Sequence, residues 1–217
     1  MKKILNWMLA AILICGSSVV MSSCGDDDND NGDKGGGKLT PNTYEVTLSA
    51  VLPQSAAAFF TLNLEYTVAG GNTNKVTVKA GDNSDQMSEQ MKKIYDGEKE
   101  SVGILIGWDS KPEKMALFDQ LIVKNVSFAV PAGKSFSYKA TMKARTDYTQ
   151  PATDTVDIIK PFVYYDSKRI SGNSEDKSVS AEGLKLKAYG AVETESLGDY
   201  IDMFDGEVIA SETRTIN

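Results

Sequence analysis

The sequence predicts a mainly β protein: an antiparallel β-sandwich of about nine or ten strands with two short helices. Three observations carry this. Apolar and polar residues alternate with period two in the runs Tyr44 to Leu48, Phe60 to Val68, Lys75 to Lys79 and Phe136 to Met142. Helical spacing occurs in only two short segments, and Gly- and Asn-rich turns join neighbouring runs. A partly closed β-barrel of the same strands is the alternative.

Tyr44-Glu45-Val46-Thr47-Leu48 alternates, and in Phe60 to Val68 every even residue is apolar and every odd one polar. That is a strand with one buried and one wet face. Gly70-Gly71-Asn72 supplies turn residues before Lys75 to Lys79, so the two runs form a hairpin. Met87, Met91, Ile94 and Tyr95 recur at helical spacing, with Ser84 as N-cap and Gly97 closing the end. Further β-rich runs are Val102 to Trp108, Leu121 to Val130, Phe136 to Met142, Val156 to Tyr165, Leu184 to Tyr189 and Val208 to Ile216. Leu197, Ile201 and Phe204 mark the second helix, ending at Gly206. Both helices carry the same punctuation, Tyr95-Asp96-Gly97-Glu98 and Phe204-Asp205-Gly206-Glu207, each after a similar strand. Either the domain is an internal duplication or these are two ordinary helix ends, where Asp-Gly is common chemistry.

The N-terminus is organised differently. Lys2 and Lys3 precede an apolar stretch from Trp7 to Cys15, too short to span about 30 Å of hydrocarbon and suited to the core of an export signal. Residues 25–38 contain only Gly, Asp, Asn and Lys and have nothing apolar to bury, so they form an acidic tether. Within it, Asp27, Asn29, Asn31 and Gly32 have the spacing of a calcium loop. The twelfth position is Lys38 rather than a bidentate Glu, however, and no metal site is expected. Val20-Met21-Ser22-Ser23-Cys24 resembles a bacterial lipobox, and Gly25-Asp26-Asp27-Asp28-Asn29-Asp30 resembles the acidic export signal of surface lipoproteins in the Bacteroidota. The resemblance covers about the first 30 residues. It implies a signal peptide over residues 1–23, acylation of Cys24, a tether over residues 24–38 and a lipid anchor in the outer membrane facing the cell exterior. Residues 39–217 then form a single β-rich extracellular domain. Cys15 leaves with the signal and Cys24 is used by the lipid, so no disulfide is available to the mature chain.

Composition narrows the function. The chain of 217 residues is 24% charged with a formal net charge of −7, which argues against nucleic acid as partner. It has no histidine, which excludes Ser-His-Asp and Cys-His nucleophiles. The one Ser-x-x-Lys, Ser174 to Lys177, lies in a polar stretch read as a loop, where the lysine stays protonated and cannot act as a base. No Gly-rich stretch has phosphate-binding spacing, and no cofactor is implied. Glycoside hydrolysis needs only two carboxylates, so 30 acidic residues leave it open while nothing singles out a pair.

Aromatic residues beside polar groups are the remaining lead. Trp108 begins the stretch Trp108-Asp109-Ser110-Lys111-Pro112, and Tyr164 and Tyr165 end Phe162-Val163-Tyr164-Tyr165-Asp166. Trp108, Tyr164 and Tyr165 are therefore candidate ligand-binding residues for ring stacking on sugars, against the competing role of core packing. Asp154-Thr155-Val156 resembles the O-glycosylation site of exported proteins in the same bacterial group, with Thr155 as acceptor.

These features point to a cell-surface lipoprotein that acts as a non-catalytic binding or accessory module for glycans or another extracellular ligand. A structural adhesin or envelope assembly subunit, with a surface protein as partner, is the alternative; a carboxylate-dependent hydrolase is the third. The lipobox gives a direct expectation. The native protein should begin at Cys24 and carry acyl chains in its intact mass, and Cys24→Ser should move it from the membrane to the soluble fraction. A mature N-terminus at any other residue contradicts this.

Overall fold

The computed structural model describes residues 42–169, 177–180 and 188–216, with side chains for residues 42–168 and 191–216. The signal peptide, Cys24, the tether, Ser174 and the Leu184 to Lys187 part of the predicted strand lie outside the described residues. Among the described residues ten strands are present: β1 (Thr43–Pro53), β2 (Phe60–Val68), β3 (Thr73–Val78), β4 (Leu121–Pro131), β5 (Ser135–Ala144), β6 (Thr155–Ile159), β7 (Phe162–Arg169), β8 (Lys177–Ser180), β9 (Ala188–Glu193) and β10 (Val208–Thr215). Four α-helices accompany them among the described residues: α1 (Gln54–Ala57), α2 (Glu89–Leu105), α3 (Pro112–Met115) and α4 (Leu197–Phe204). The strands form a first sheet ordered β4-β1-β7-β8, a second ordered β10-β5-β2-β3, and a small β6-β9 pair, all antiparallel. The protein is mainly β, and the described strands close no barrel.

Alternation decides which residues go where. Val46, Leu48, Ala50 and Leu52 of β1 share one buried cluster with Leu62 and Leu64 of β2 and Phe136, Tyr138, Ala140 and Met142 of β5. Leu197 and Ile201 of α4 join the same cluster. On the other face of the first sheet, Val51, Val123, Phe162 and Tyr164 pack with Met91, Tyr95 and Val102 of α2 and with Trp108 and Phe118. Tyr95 stacks on Phe162 at 5.6 Å between ring centroids and donates a 2.6 Å hydrogen bond to the Phe118 carbonyl.

The helix differs from its predicted bounds at both ends. Its N-cap is Ser88, one turn beyond Ser84; the Ser88 hydroxyl accepts from Met91 N–H at 3.2 Å. Gly97 is an exposed interior residue, and α2 runs on through most of the predicted Val102 to Trp108 strand. That run is apolar without alternation, so it does not distinguish strand from helix; Val102 continues the buried stripe of Met91 and Tyr95. The helix stops where Gly107 takes φ +71°. Gly107 N–H then donates to Ile104 O at 3.1 Å and Trp108 N–H to Gly103 O at 2.8 Å, a Schellman motif. Gly103 lies against the Met115 side chain: a Cβ there would come within 2.5 Å of Met115 Sδ, so the methionine would have to shift to admit one.

Three further expectations are corrected. Val156 to Tyr165 is two strands in different sheets, because Lys160-Pro161 interrupts it and proline offers no N–H to a ladder. Buried Lys160 instead pairs with Glu207 and ties this break to the α4–β10 connection. Lys177 opens β8 rather than lying in a loop. The two Asp-Gly sites are not equivalent, since Gly97 is helical while Gly206 turns the chain at φ +79°, so the shared punctuation gives no support to a duplication.

The β2–β3 hairpin turns one residue earlier than predicted, on Ala69 (φ +48°) and Gly70 (φ +75°), with Gly71 N–H donating to Val68 O at 2.8 Å. A left-handed alanine costs about 1 kcal/mol or more relative to residues that tolerate that region. Ala69→Asn should therefore stabilise the fold by about 0.5–1 kcal/mol, raising the thermal midpoint by about 1–4 °C. Tyr95→Phe leaves the Phe118 carbonyl without its buried donor and should cost about 1–2 kcal/mol in chemical denaturation.

Candidate functional site

The helix α2 covers only part of the first sheet. Its N-terminus stops above the row Ser127–Thr47–Asp166, which crosses β4, β1 and β7 on the outward face. Beyond it that face is uncovered, and the step leaves a polar cleft of about 330 Å³. Glu45, Thr47, Asp166 and Lys168 line it from the sheet, Ser88 and Glu89 from the first turn of α2. Glu45 and Lys168 are cross-strand partners. Thr47 and Ser127 share a 2.8 Å hydrogen bond between hydroxyls, and Ser49 donates to Asn125 Oδ1 at 2.7 Å.

Loop residues anchor the start of the helix to the sheet edge. Asp85 N–H donates to Val123 O at 2.8 Å, Val123 N–H to Ser84 Oγ at 3.0 Å, and Asn125 N–H to Asp85 Oδ2 at 2.8 Å. The cleft thus stands on strands and a tethered helix N-terminus, a rigid setting for a binding site.

Asp166 is the unusual group. Its Oδ1 is buried without a hydrogen-bond partner among the described residues. Burial raises its pKa above the ordinary aspartate value, and the hydrogen bond from the Ser88 hydroxyl opposes that shift only in part. Tyr164 lies next to it on the same face of β7. Its hydroxyl, beside Ser49 and the Ser88 backbone, is buried without a well-formed hydrogen bond, and burial pushes its pKa up to about 12. Chemically, the cleft offers carboxylate acceptors, hydroxyls and one amine, and it has an acceptor waiting for a donor. No group of three or more Asp, Glu, His or Cys among the described residues is arranged to hold a metal ion.

None of the predicted aromatic residues lines the cleft, although the buried Tyr164 hydroxyl lies beside Asp166. Trp108 is 4% exposed, packed on Phe118 at 5.6 Å with Lys114 over its ring at 5.8 Å; Lys114 in turn pairs with Asp157. Tyr164 is 1% exposed between the first sheet and α2. Tyr165 points to the opposite face, half-buried, with its ring edge-on to Phe136 at 5.4 Å. In this arrangement Trp108 and Tyr164 present no ring face to solvent. Thr155 is exposed at the start of β6. Cys24 lies outside the described residues.

The cleft residues themselves were not singled out by the sequence, yet one signal was available. Phe162, Tyr164 and Asp166 alternate onto one face of β7, so a carboxylate follows two buried aromatics on the same side. No helix among the described residues is long and apolar enough to cross a membrane. Comparison with protein-family models, with curated proteins and with solved structures gives no match to this chain.

A buried carboxylate with a raised pKa has a definite signature. Between the unfolded and the folded pKa the folded state binds the extra proton, so stability is lost as pH rises through that window. Asp166→Asn should raise the thermal midpoint at pH 7 by a few degrees, and the gain should vanish at a pH below the unfolded aspartate value. A variant less stable than wild type at pH 7 would contradict it.

Proposed function

We propose that this chain is a lipoprotein, anchored through Cys24 in the outer membrane and facing the cell exterior, whose β-sandwich domain is a non-catalytic binding module for glycans. The observation that carries the binding role is the buried, partnerless Asp166 Oδ1 in a polar cleft. A buried acceptor without a donor is costly, and a sugar hydroxyl is a donor of the right kind, with Glu45, Thr47 and Ser88 able to orient its neighbours.

Two of the described sheet edges, β4 and β10, favour binding over assembly. On β4 the edge groups of Val123 and Asn125 are occupied by Ser84 and Asp85, and Lys124 sits on the inward face. On β10 the register shifts between Val208 and Ala210, and Glu212 and Arg214 face inward; Glu212 accepts from the Tyr138 hydroxyl at 3.0 Å. Charges on the inward side and irregular register both block strand addition.

A carboxylate-dependent hydrolase is the second reading, favoured by one observation: Asp166, with its raised pKa, shares the cleft with Glu45 and Glu89.

Thermal unfolding of the full chain against a panel of neutral oligosaccharides tests the proposal. A glycan at 100 times its Kd should add about 2.7 kcal/mol, a rise of about 5–10 °C at 2–4 °C per kcal/mol. Asp166→Asn should reduce that shift by more than half. Release of reducing ends from any member of the panel, lost in Asp166→Asn, would move the assignment to the hydrolase. A shift that is the same in wild type and variant would place the site elsewhere.

A further inference from the structure

We propose, resting on the glycan-binding role assigned to the cleft on the first sheet, that the sugar it holds carries a protonated amine. An amino sugar is then taken in preference to a neutral or an acidic one. Charge and donor chemistry both point this way.

The lining sets the sign of the occupant. Glu45, Glu89 and Asp166 line the cleft against one ammonium, Lys168. Glu45 and Glu89 are exposed, and neither makes an ion pair among the described residues. A helix N-terminus favours anions, and that of α2 opens onto the cleft, but Glu89 in its first turn already answers that positive end. An acidic sugar would meet a surplus of carboxylates, whereas a cation meets complementary charge.

Two orphan atoms mark the floor as unfinished. Asp166 Oδ1 is buried and has no hydrogen-bond partner among the described residues. The hydroxyl of Tyr164, a residue only 1% exposed, is in the same condition beside Ser88, which lines the cleft. The hydroxyls of the lining are already committed. Ser88 accepts from Met91 N–H at 3.2 Å and directs its own proton to Asp166, and Thr47 shares a 2.8 Å hydrogen bond with Ser127. What remains to face a ligand is mostly acceptor. A sugar hydroxyl brings one donor to such a wall, while an ammonium brings three and no acceptor. Its hydrogen bonds to carboxylates are charge-assisted, about twice as strong as neutral ones. At about 330 Å³ the cleft is at the small end of ligand pockets, so it holds a short segment of a chain rather than a long tract.

Isothermal titration of the full chain at mildly acidic pH tests this with three tetramers that differ only at C2. Cellotetraose carries a hydroxyl there, the chitin tetramer an acetamide, and chitotetraose a free amine. Chitotetraose should bind about tenfold or more tightly than either neutral tetramer. The double variant Glu45→Gln, Glu89→Gln should lose most of that preference at an unchanged thermal midpoint, and Asp166→Asn should lose it too. Asp199→Asn, Asp202→Asn, the same charge change on exposed positions of α4, should keep it. Equal loss in both double variants overturns the inference in favour of diffuse attraction to an acidic surface. Equal affinity for the three tetramers overturns it as well, while Asp166-dependent binding of the neutral pair leaves the glycan-binding role standing. Spermine, with four amines and no sugar, should bind no better than the neutral tetramers. Spermine binding as tight as that of chitotetraose overturns the glycan-binding role and the amino-sugar preference together.

Discussion

The structure depends on the burial of β1 on both faces. From Leu48 to Leu52 its even residues belong to the core shared with β2 and β5, while Val51 belongs to the cluster under α2. A strand wet on one side needs only one partner layer; this one needs two. That requirement brings α2 onto the first sheet, fixes the Tyr95 and Trp108 packing, and makes the Schellman stop at Gly107 necessary so that the chain can turn back through α3 to β4. Toward Thr43 the same strand becomes polar on its outward face at Thr47 and Glu45, and there the helix cover ends. The cleft is the step between the covered and uncovered parts of one sheet.

The residues at that step are not chosen for stability. A carboxylate with a buried, partnerless oxygen and a buried tyrosine hydroxyl without a good hydrogen bond sit side by side on β7. Each works against folding, while the apolar clusters on either side of the first sheet supply the stability that tolerates them. Neighbouring polar groups are well served: Ser84 and Asp85 close the β4 edge, and Ser49 donates to Asn125. Of the three buried side-chain atoms without a hydrogen-bond partner among the described residues, two lie here on neighbouring positions of β7 and the third is Glu207 Oε2; that concentration is the physical basis for treating the cleft as a site.

Much of the fold was legible because alternation is strong. β2 follows the predicted Phe60 to Val68 run residue for residue, and β4, β5 and β10 lie within a few residues of their runs. Legibility failed where the pattern carries no period. Val102 to Trp108 is apolar throughout, and only its tertiary cluster makes it helix; Gly97 reads as a terminator yet is tolerated because it faces solvent. Pro161 was the visible signal that Val156 to Tyr165 should be split. For the site, the aromatic residues drew attention because of their chemistry, but their size puts Trp108 and Tyr164 in the core. The cleft is assembled from β1, α2 and β7, segments far apart in the chain, and no local pattern announces such a meeting.

The central claim is that Asp166 is an under-bonded carboxylate held ready for a ligand donor. A carbon-13 NMR pH titration of the Asp166 carboxyl in the full chain measures this without any assumption about the ligand. The account predicts a midpoint above the ordinary aspartate value, because burial outweighs the Ser88 hydrogen bond. A midpoint at or below that value would mean that the carboxylate is already well solvated or fully bonded, and would contradict the account.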